Sequence, residues 1–273
     1  MAGPSPESDT SGWPLARAAR WMAPLVVAAL ALGGWEWSVR HWEVPHFILP
    51  APSRIVATLI ERRDELGPAW AVTLRTTLSA FAAAAIGGAL LAAVFTSSRW
   101  IEASLFPYAI VLQVTPLVAV APLVMLWIGM ERLPLIHLVC ALIVAFFPVL
   151  SNTAVGLRSA DRGLRELFQL YGANPWQRLR LLLAPTALPY CLAGLRIAGN
   201  LSLVGAVVAE FVTGAVGDES GLASLILTSQ LRTDTPLMFA ALTLVSLTGI
   251  AIFFALSGLS YLLLRRWHES AIQ

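Results

Sequence analysis

Apolar residues in this chain come in long uncharged runs, and polar residues come in short blocks between them. Crossing the hydrocarbon layer takes about 20 mostly apolar residues in a helix. Six runs are of that order: roughly Trp21 to Trp37, Thr76 to Ser98, Leu105 to Met130, Leu133 to Leu157, Leu182 to Val212 and Pro236 to Leu264, the fifth interrupted by Arg196 and Glu210. The pattern predicts an all-α polytopic membrane protein with six transmembrane helices. Pro107, Pro116, Pro122, Pro148 and Pro189 fall inside the runs, where neighbouring helices can satisfy the carbonyls that proline frees. Bent helices in a bundle are therefore expected. In the second run Ala84, Gly88, Ala92 and also Gly87 form a small-residue face suited to close helix packing.

The polar blocks complete the plan. Residues 1 to 14, rich in Pro, Ser and Gly, read as a disordered tail, and residues 15 to 70 as a first helix followed by an outer interfacial segment. Arg17 and Arg20 ahead of a short apolar stretch ending in Ala-Leu-Gly-Gly also fit a cleaved signal peptide, whereas Trp35 and Trp37 read as interfacial anchors of a retained helix. Further on, Ser53 is placed to cap a short helix whose Ile55, Val56, Leu59 and Ile60 make an apolar stripe. Residues 71 to 264 form the main membrane domain, interrupted by a polar loop at 158 to 184, and residues 265 to 273 form a second tail.

Composition removes several function classes. With 58% apolar residues and a net charge of only +2, the chain lacks the basic surface that nucleic-acid binding needs. Cys140 and Cys191 lie in apolar stretches at no metal-like spacing. No carboxylate pair, Ser-His-Asp set or His-Cys cluster marks an active site, so an intramembrane enzyme is disfavoured and no cofactor or metal is expected. All 18 basic residues other than His are Arg. Without Lys the chain cannot supply the phosphate-binding residue of a G-x-x-x-x-G-K-[ST] loop, so any ATP-driven work needs a partner.

Arginine also sets the expected orientation. With the N-terminus inside, Arg158, Arg162, Arg165, Arg178 and Arg180, together with Arg265 and Arg266, fall on the cytoplasmic side that positive residues prefer. Arg40, Arg54, Arg62 and Arg63 in the first outer loop run against the rule, with Glu43, Glu61, Asp64 and Glu65 among them.

The long polar loop carries its own structure. Leu164, Leu167, Phe168 and Tyr171 recur at i, i+3, i+4 and i+7, opposite Arg162, Arg165, Glu166 and Gln169, which predicts a short amphipathic helix. Gly172 is placed to end it in the left-handed conformation, and Asn174-Pro175 to cap and start a second helix at Trp176. A helix resting on lipid headgroups explains the stripe. A protein partner also explains the rigid turn.

From Glu166 through Gly172 to Leu182 and Pro185, the segment ELFQLYGANPWQRLRLLLAP resembles the EAA loop of bacterial ABC-importer permeases, written E-A-A-x3-G-x9-I-x-L-P. The segments FILPAPSRIVATL, VTPLVAVAPLVMLWIG, GLRSADRGLREL and VVAEF are similar to the subgroup that imports nitrate, taurine, alkanesulfonates and pyrimidine or thiamine precursors. The resemblance covers nearly all of the chain after residue 45. Leu167 and Phe168 stand where the family motif has alanines, and Ala184 where it has leucine.

The resemblance implies a type I importer permease in a bacterial inner membrane, both termini cytoplasmic. Its implied partners are cytoplasmic ABC ATPase subunits, an extracytoplasmic substrate-binding protein, a second copy of the chain, and membrane lipid. It further implies that Leu164, Leu167, Phe168 and Tyr171 fill a groove on the ATPase, that Arg165 and Glu166 contact its rim, and that Gly172 sets the turn, with Pro185 in register. A path for solute needs inward polar groups. From the embedded set Arg75, Gln113, His137, Asn152, Arg196, Asn200 and Glu210, the candidates are Gln113, Asn152, Asn200 and Glu210. The C-terminal LLLRRWHES, with Arg265, Arg266, Trp267, His268, Glu269 and Ser270, resembles permeases for thiamine-pyrimidine or riboflavin-type compounds more than those for sulfonates. The rivals are a stand-alone secondary transporter, disfavoured by the lack of symmetry between the halves, and a membrane scaffold.

Overall fold

A computed structural model describes residues 14–214 and 220–265 of the chain. The tail expected at residues 1 to 14, Pro14 apart, and the segment from Arg266 through Ser270 lie outside the described residues. Among those residues there are helices and no strands: α1 (Pro14–His41), α2 (Pro52–Glu61), α3 (Arg63–Ser97), α4 (Arg99–Val114), α5 (Leu117–Ile128), α6 (Leu133–Arg158), α7 (Arg162–Leu170), α8 (Pro175–Arg178), α9 (Ala184–Thr213), α10 (Leu222–Leu231) and α11 (Thr235–Leu264). Five stretches are long and apolar enough to cross a bilayer, carried by α1, α3, α6, α8 with α9, and α11. A sixth exists only if α4 and α5 are taken as one span.

That third span departs from expectation. Instead of one helix from Leu105 to Met130 there are two, bent by 105° at a short break. Thr115 precedes Pro116 and takes an extended conformation (φ −68°, ψ 124°), because the proline ring crowds the helical geometry of its predecessor. Pro107, Pro122, Pro148 and Pro189 all stay inside their helices.

Two further boundaries moved. The second span starts at Arg63, well before Thr76. Asp64 and Glu65 in its first turn favour the helix dipole, and Leu66 and Ala69 are buried with Ile55 of α2 and Leu237, Ala240 and Ala241 of α11. Ser53 does not cap α2. The cap position is Ala51, with Pro52 opening the helix, and Ser53 N–H and Oγ instead donate to the Glu36 carboxylate of α1 at 2.9 and 2.7 Å. Between α2 and α3, hydrogen bonds to Glu65 raise the pKa of the Arg62 guanidinium above its ordinary value, and nearby Asp234 acts in the same direction.

The centre of the bundle is α6 packed on α9, with α3 laid across both. Small residues let the backbones approach: a Cβ on Gly205 would fall 2.7 Å from Ala141 Cα, and one on Gly194 2.7 Å from the Pro148 carbonyl oxygen. Ala84 and Ala92, from the predicted small face of α3, are fully buried.

At one end of this core α9 gives way to α10, and a buried carboxylate holds the corner. Glu210 is fully buried and accepts from Thr73 Oγ1 of α3 at 2.8 and 3.1 Å and from the Ala223 N–H at 3.0 Å. Thr73 Oγ1 in turn accepts from the Leu222 N–H at 2.8 Å. The first free N–H groups of α10 are thereby satisfied by side chains from two other helices, where no water would reach them. A Cβ at Gly221 would fall 2.3 Å from the Glu210 carboxylate, so a larger residue there would displace the carboxylate from these bonds.

Thr73→Val keeps the shape and deletes the hydroxyl that both donates to Glu210 and accepts from α10. It should cost about 1–3 kcal/mol, as for other buried groups left unsatisfied, read as a lower thermal midpoint of the detergent-solubilised protein. Thr73→Ser should retain most of the stability, and equal midpoints for Val, Ser and wild type would refute the assignment.

Candidate functional site

The loop between α6 and α9 folds into a rigid turn with both helix ends capped. Asp161 caps α7 through its Oδ1, which accepts from Leu164 N–H at 3.0 Å. At the other end Gly172 takes φ +65°, a conformation that disfavours any residue with a Cβ. Its N–H reaches Gln169 O at 3.0 Å and the next N–H, of Ala173, reaches back to Phe168 O at 2.9 Å, so two late carbonyls of α7 are closed. Asn174 then opens α8 with a reciprocal box: Oδ1 accepts from Gln177 N–H at 2.8 Å while Gln177 Oε1 accepts from Asn174 N–H at 2.9 Å. Arg178 Nε donates to Ala173 O at 2.9 Å and ties the turn to the second helix.

The predicted stripe is divided. Phe168 and Arg165 turn inward and are half-buried, whereas Leu164, Leu167 and Tyr171 are exposed, Tyr171 to 83%. Two residues outside the predicted set are exposed as well, Leu170 to 85% and Trp176 to 65%. Neither lies on the i, i+3, i+4 stripe. Their signal was an apolar side chain in a polar block with no core position to occupy. Glu166 is exposed and accepts from Arg162 Nε at 3.3 Å.

Within the chain Arg165 reaches back to α6. Its Nη2 donates to the carbonyls of Leu157 and Arg158 at 3.1 and 2.7 Å, covering the last turn of α6. Arg158 itself pairs with Glu102 of α4. A cavity of about 600 Å³ opens here, lined by Phe95, Thr96, Glu102, Phe106, Arg158 and Arg165.

After α8 the chain passes through a π-helical turn, Leu179–Leu183, directly into α9. Pro185 has no N–H to offer, and the wider turn before it, with Ala184 N–H bonded to Leu179 O, takes up the mismatch without breaking the rod.

The candidate path residues lie on three helices and share no hydrogen bond among the described residues. Gln113 is exposed on α4. Asn152 on α6 faces α9 at Gly194 and donates to Pro148 O at 2.8 Å. Asn200 on α9 has a buried Oδ1 with no partner, and Glu210 is held at the α10 corner. His137 packs with Nε2 2.9 Å from Thr213 Oγ1, and Arg75 is exposed midway along α3.

Comparison with known proteins matches residues 84–272 to the family described as the binding-protein-dependent transport system inner membrane component. The chain is 40% identical over 248 residues to the riboflavin transport system permease protein RibX of Chloroflexus aurantiacus, covering 90% of each chain. It is 32% identical over 234 residues to the formylaminopyrimidine transport permease protein ThiX of Halalkalibacterium halodurans, covering 84% of this chain and 90% of that one. It is 29% identical over 231 residues to the putative aliphatic sulfonates transport permease protein SsuC of Bacillus subtilis, covering 84% and 82%. These relatives are permease subunits of ABC transporters, a family whose members work with ATPase and substrate-binding partners, and a stand-alone secondary transporter is thereby set aside. The chain belongs to the binding-protein-dependent transport system inner membrane component family and is the multi-pass permease subunit of an ABC importer, not an enzyme.

Proposed function

We propose that α7, the Gly172 turn and α8 seat as one knob in a groove on a cytoplasmic ATPase subunit, and that two copies of this chain enclose the path between them. The carrying observation is that four apolar side chains, Leu167, Leu170, Tyr171 and Trp176, are exposed around a turn closed at both helix ends. A helix lying on lipid needs a stripe but no such turn. On this reading Leu164 and Phe168 complete the apolar surface, Glu166 lies at the rim, and Arg165 anchors the knob to α6. Residues 158 to 184 are then the coupling loop of a permease domain at 71 to 264. Both chain termini lie on the same side as the loop, in agreement with its arginines. ATP binding draws the two ATPase subunits together, the knobs move with them, and the bundle alternates between inward and outward openings.

The solute follows the more similar relatives. Identity is higher to permeases named for riboflavin and formylaminopyrimidine than to one named for sulfonates, which supports a nitrogen heterocycle of the flavin or pyrimidine type, delivered by a binding protein.

Gentle purification of the tagged chain from its native membrane should bring down a stoichiometric ATPase with a Walker motif, identified by mass spectrometry. Gly172→Pro imposes a φ opposite in sign to +65° and removes the bond to Gln169, at a cost of about 3 kcal/mol. It should lose the ATPase, and Glu166→Ala should retain less of it. Full recovery with both variants would refute the coupling role. In proteoliposomes carrying ATPase and binding protein, uptake of riboflavin or a formylaminopyrimidine is expected, and uptake of an alkanesulfonate alone would overturn the solute class.

A further inference from the structure

Arg196 lies within one turn of the midpoint of α9, a 30-residue helix, and hence roughly 4 Å from its centre at 1.5 Å per residue. The hydrocarbon boundary is about 15 Å from the bilayer centre, further than the arginine stem can carry its head from that depth. A guanidinium is always charged and presents five N–H donors. Among the described residues it has no ion pair and no hydrogen bond, and its Nε is buried without a partner.

Unpartnered polar atoms gather at this level. Asn200, one turn along the same face of α9, has a buried Oδ1 with nothing bonded to it. On the antiparallel neighbour α11, Gly249 faces Leu203, and Ile252 and Leu256 face Gly199. Continuing that register brings Ser257 level with Arg196, and the Ser257 hydroxyl is likewise buried and unpartnered. Such groups inside a membrane are costly unless something satisfies them.

Among the described residues, a second copy of the chain has no carboxylate to offer at this depth. In the described membrane helices Glu36 is held by Arg40 and Ser53, Glu65 by Arg62, Glu102 by Arg158, and Glu210 by Thr73 and Ala223, while Asp64 is exposed in the first turn of α3, far from the middle of a span. A solute with its own acceptor atoms would supply what these carboxylates do not.

We propose that Arg196 and Asn200 form the point inside the translocation path where the passing solute is recognised, the guanidinium donating to a carbonyl or ring nitrogen and Asn200 Oδ1 accepting from an adjacent N–H. This rests on the permease reading above and narrows its solute class. An imide or amide edge, as in flavins and oxygenated pyrimidines, satisfies both groups; an aliphatic sulfonate satisfies only the arginine. Arg196 is the specificity-determining residue and Asn200 its companion.

The test uses the full complex with its ATPase and binding protein in proteoliposomes, probed with riboflavin and with a formylaminopyrimidine. Arg196→Gln should reduce uptake at saturating binding protein by roughly 10- to 100-fold, the range for losing a charged hydrogen bond, while ATPase co-purification and ATP hydrolysis persist. Arg196→Lys should retain an intermediate rate. Independently, Asn200→Cys in a Cys140→Ala, Cys191→Ala background should react with a membrane-impermeant methanethiosulfonate, and solute-loaded binding protein with ATP should slow the reaction. Wild-type uptake by Arg196→Gln, an unreactive Asn200→Cys, or a reaction indifferent to solute would each overturn the proposal. If the wild-type complex takes up neither probe, the heterocycle class fails and this inference with it. Uptake that survives Arg196→Gln sinks this inference alone.

Discussion

Inside a bilayer no water is available to satisfy a polar group, and the arrangement of this chain follows from that constraint. Many hydroxyls in the helices turn back on their own turns, as Thr77 does on Thr73 and Thr248 on Leu244. Where the chain must leave a helix within the bundle, the freed groups are met by side chains from elsewhere. Glu210 and Thr73 satisfy the start of α10, and Arg165 covers the end of α6. The Glu210 site ties together helices that are distant in sequence, so there satisfying the backbone and fixing the tertiary structure are one event. Arg196 stands out against this background because its charge is embedded with no such answer in the protomer.

Much of this was legible in the chain. Long uncharged runs located the membrane helices because the bilayer penalises charge at every position of a span. The turn between α7 and α8 was legible for a different reason. Gly172, Asn174 and Pro175 are residues whose local backbone preferences act without help from distant partners, and the structure places a left-handed glycine, a capping box and a first-turn proline at those positions.

What escaped the sequence depended on distance or on choice among equivalent signals. Of the five prolines singled out within the apolar runs only Pro116 coincides with a break, where its neighbour Thr115 extends and the next helix sets off at a new angle. Proline content alone did not single it out. The hydrogen bonds of Glu210 hung on Thr73, 137 residues away, so its capping geometry was invisible in the sequence. Ser53 illustrates the same limit, since the Glu36 carboxylate that takes its hydroxyl lies on another helix.

The passage from α8 through the π turn into α9 carries a mechanical meaning, as does the Arg165 contact with α6. Neither junction is a loose hinge. The guanidinium clamps α7 to the last carbonyls of α6, and the widened turn lets α8 run into α9 without a gap. A force applied at the Gly172 turn therefore enters the bundle through two stiff rods at once. Because those rods are also the most closely packed pair in the protein, with Gly194 and Gly205 allowing near backbone contact, they cannot easily slide past each other. The pair would tilt as a unit, so that a small displacement at the knob becomes a larger sweep at the far end, where α10 is fastened.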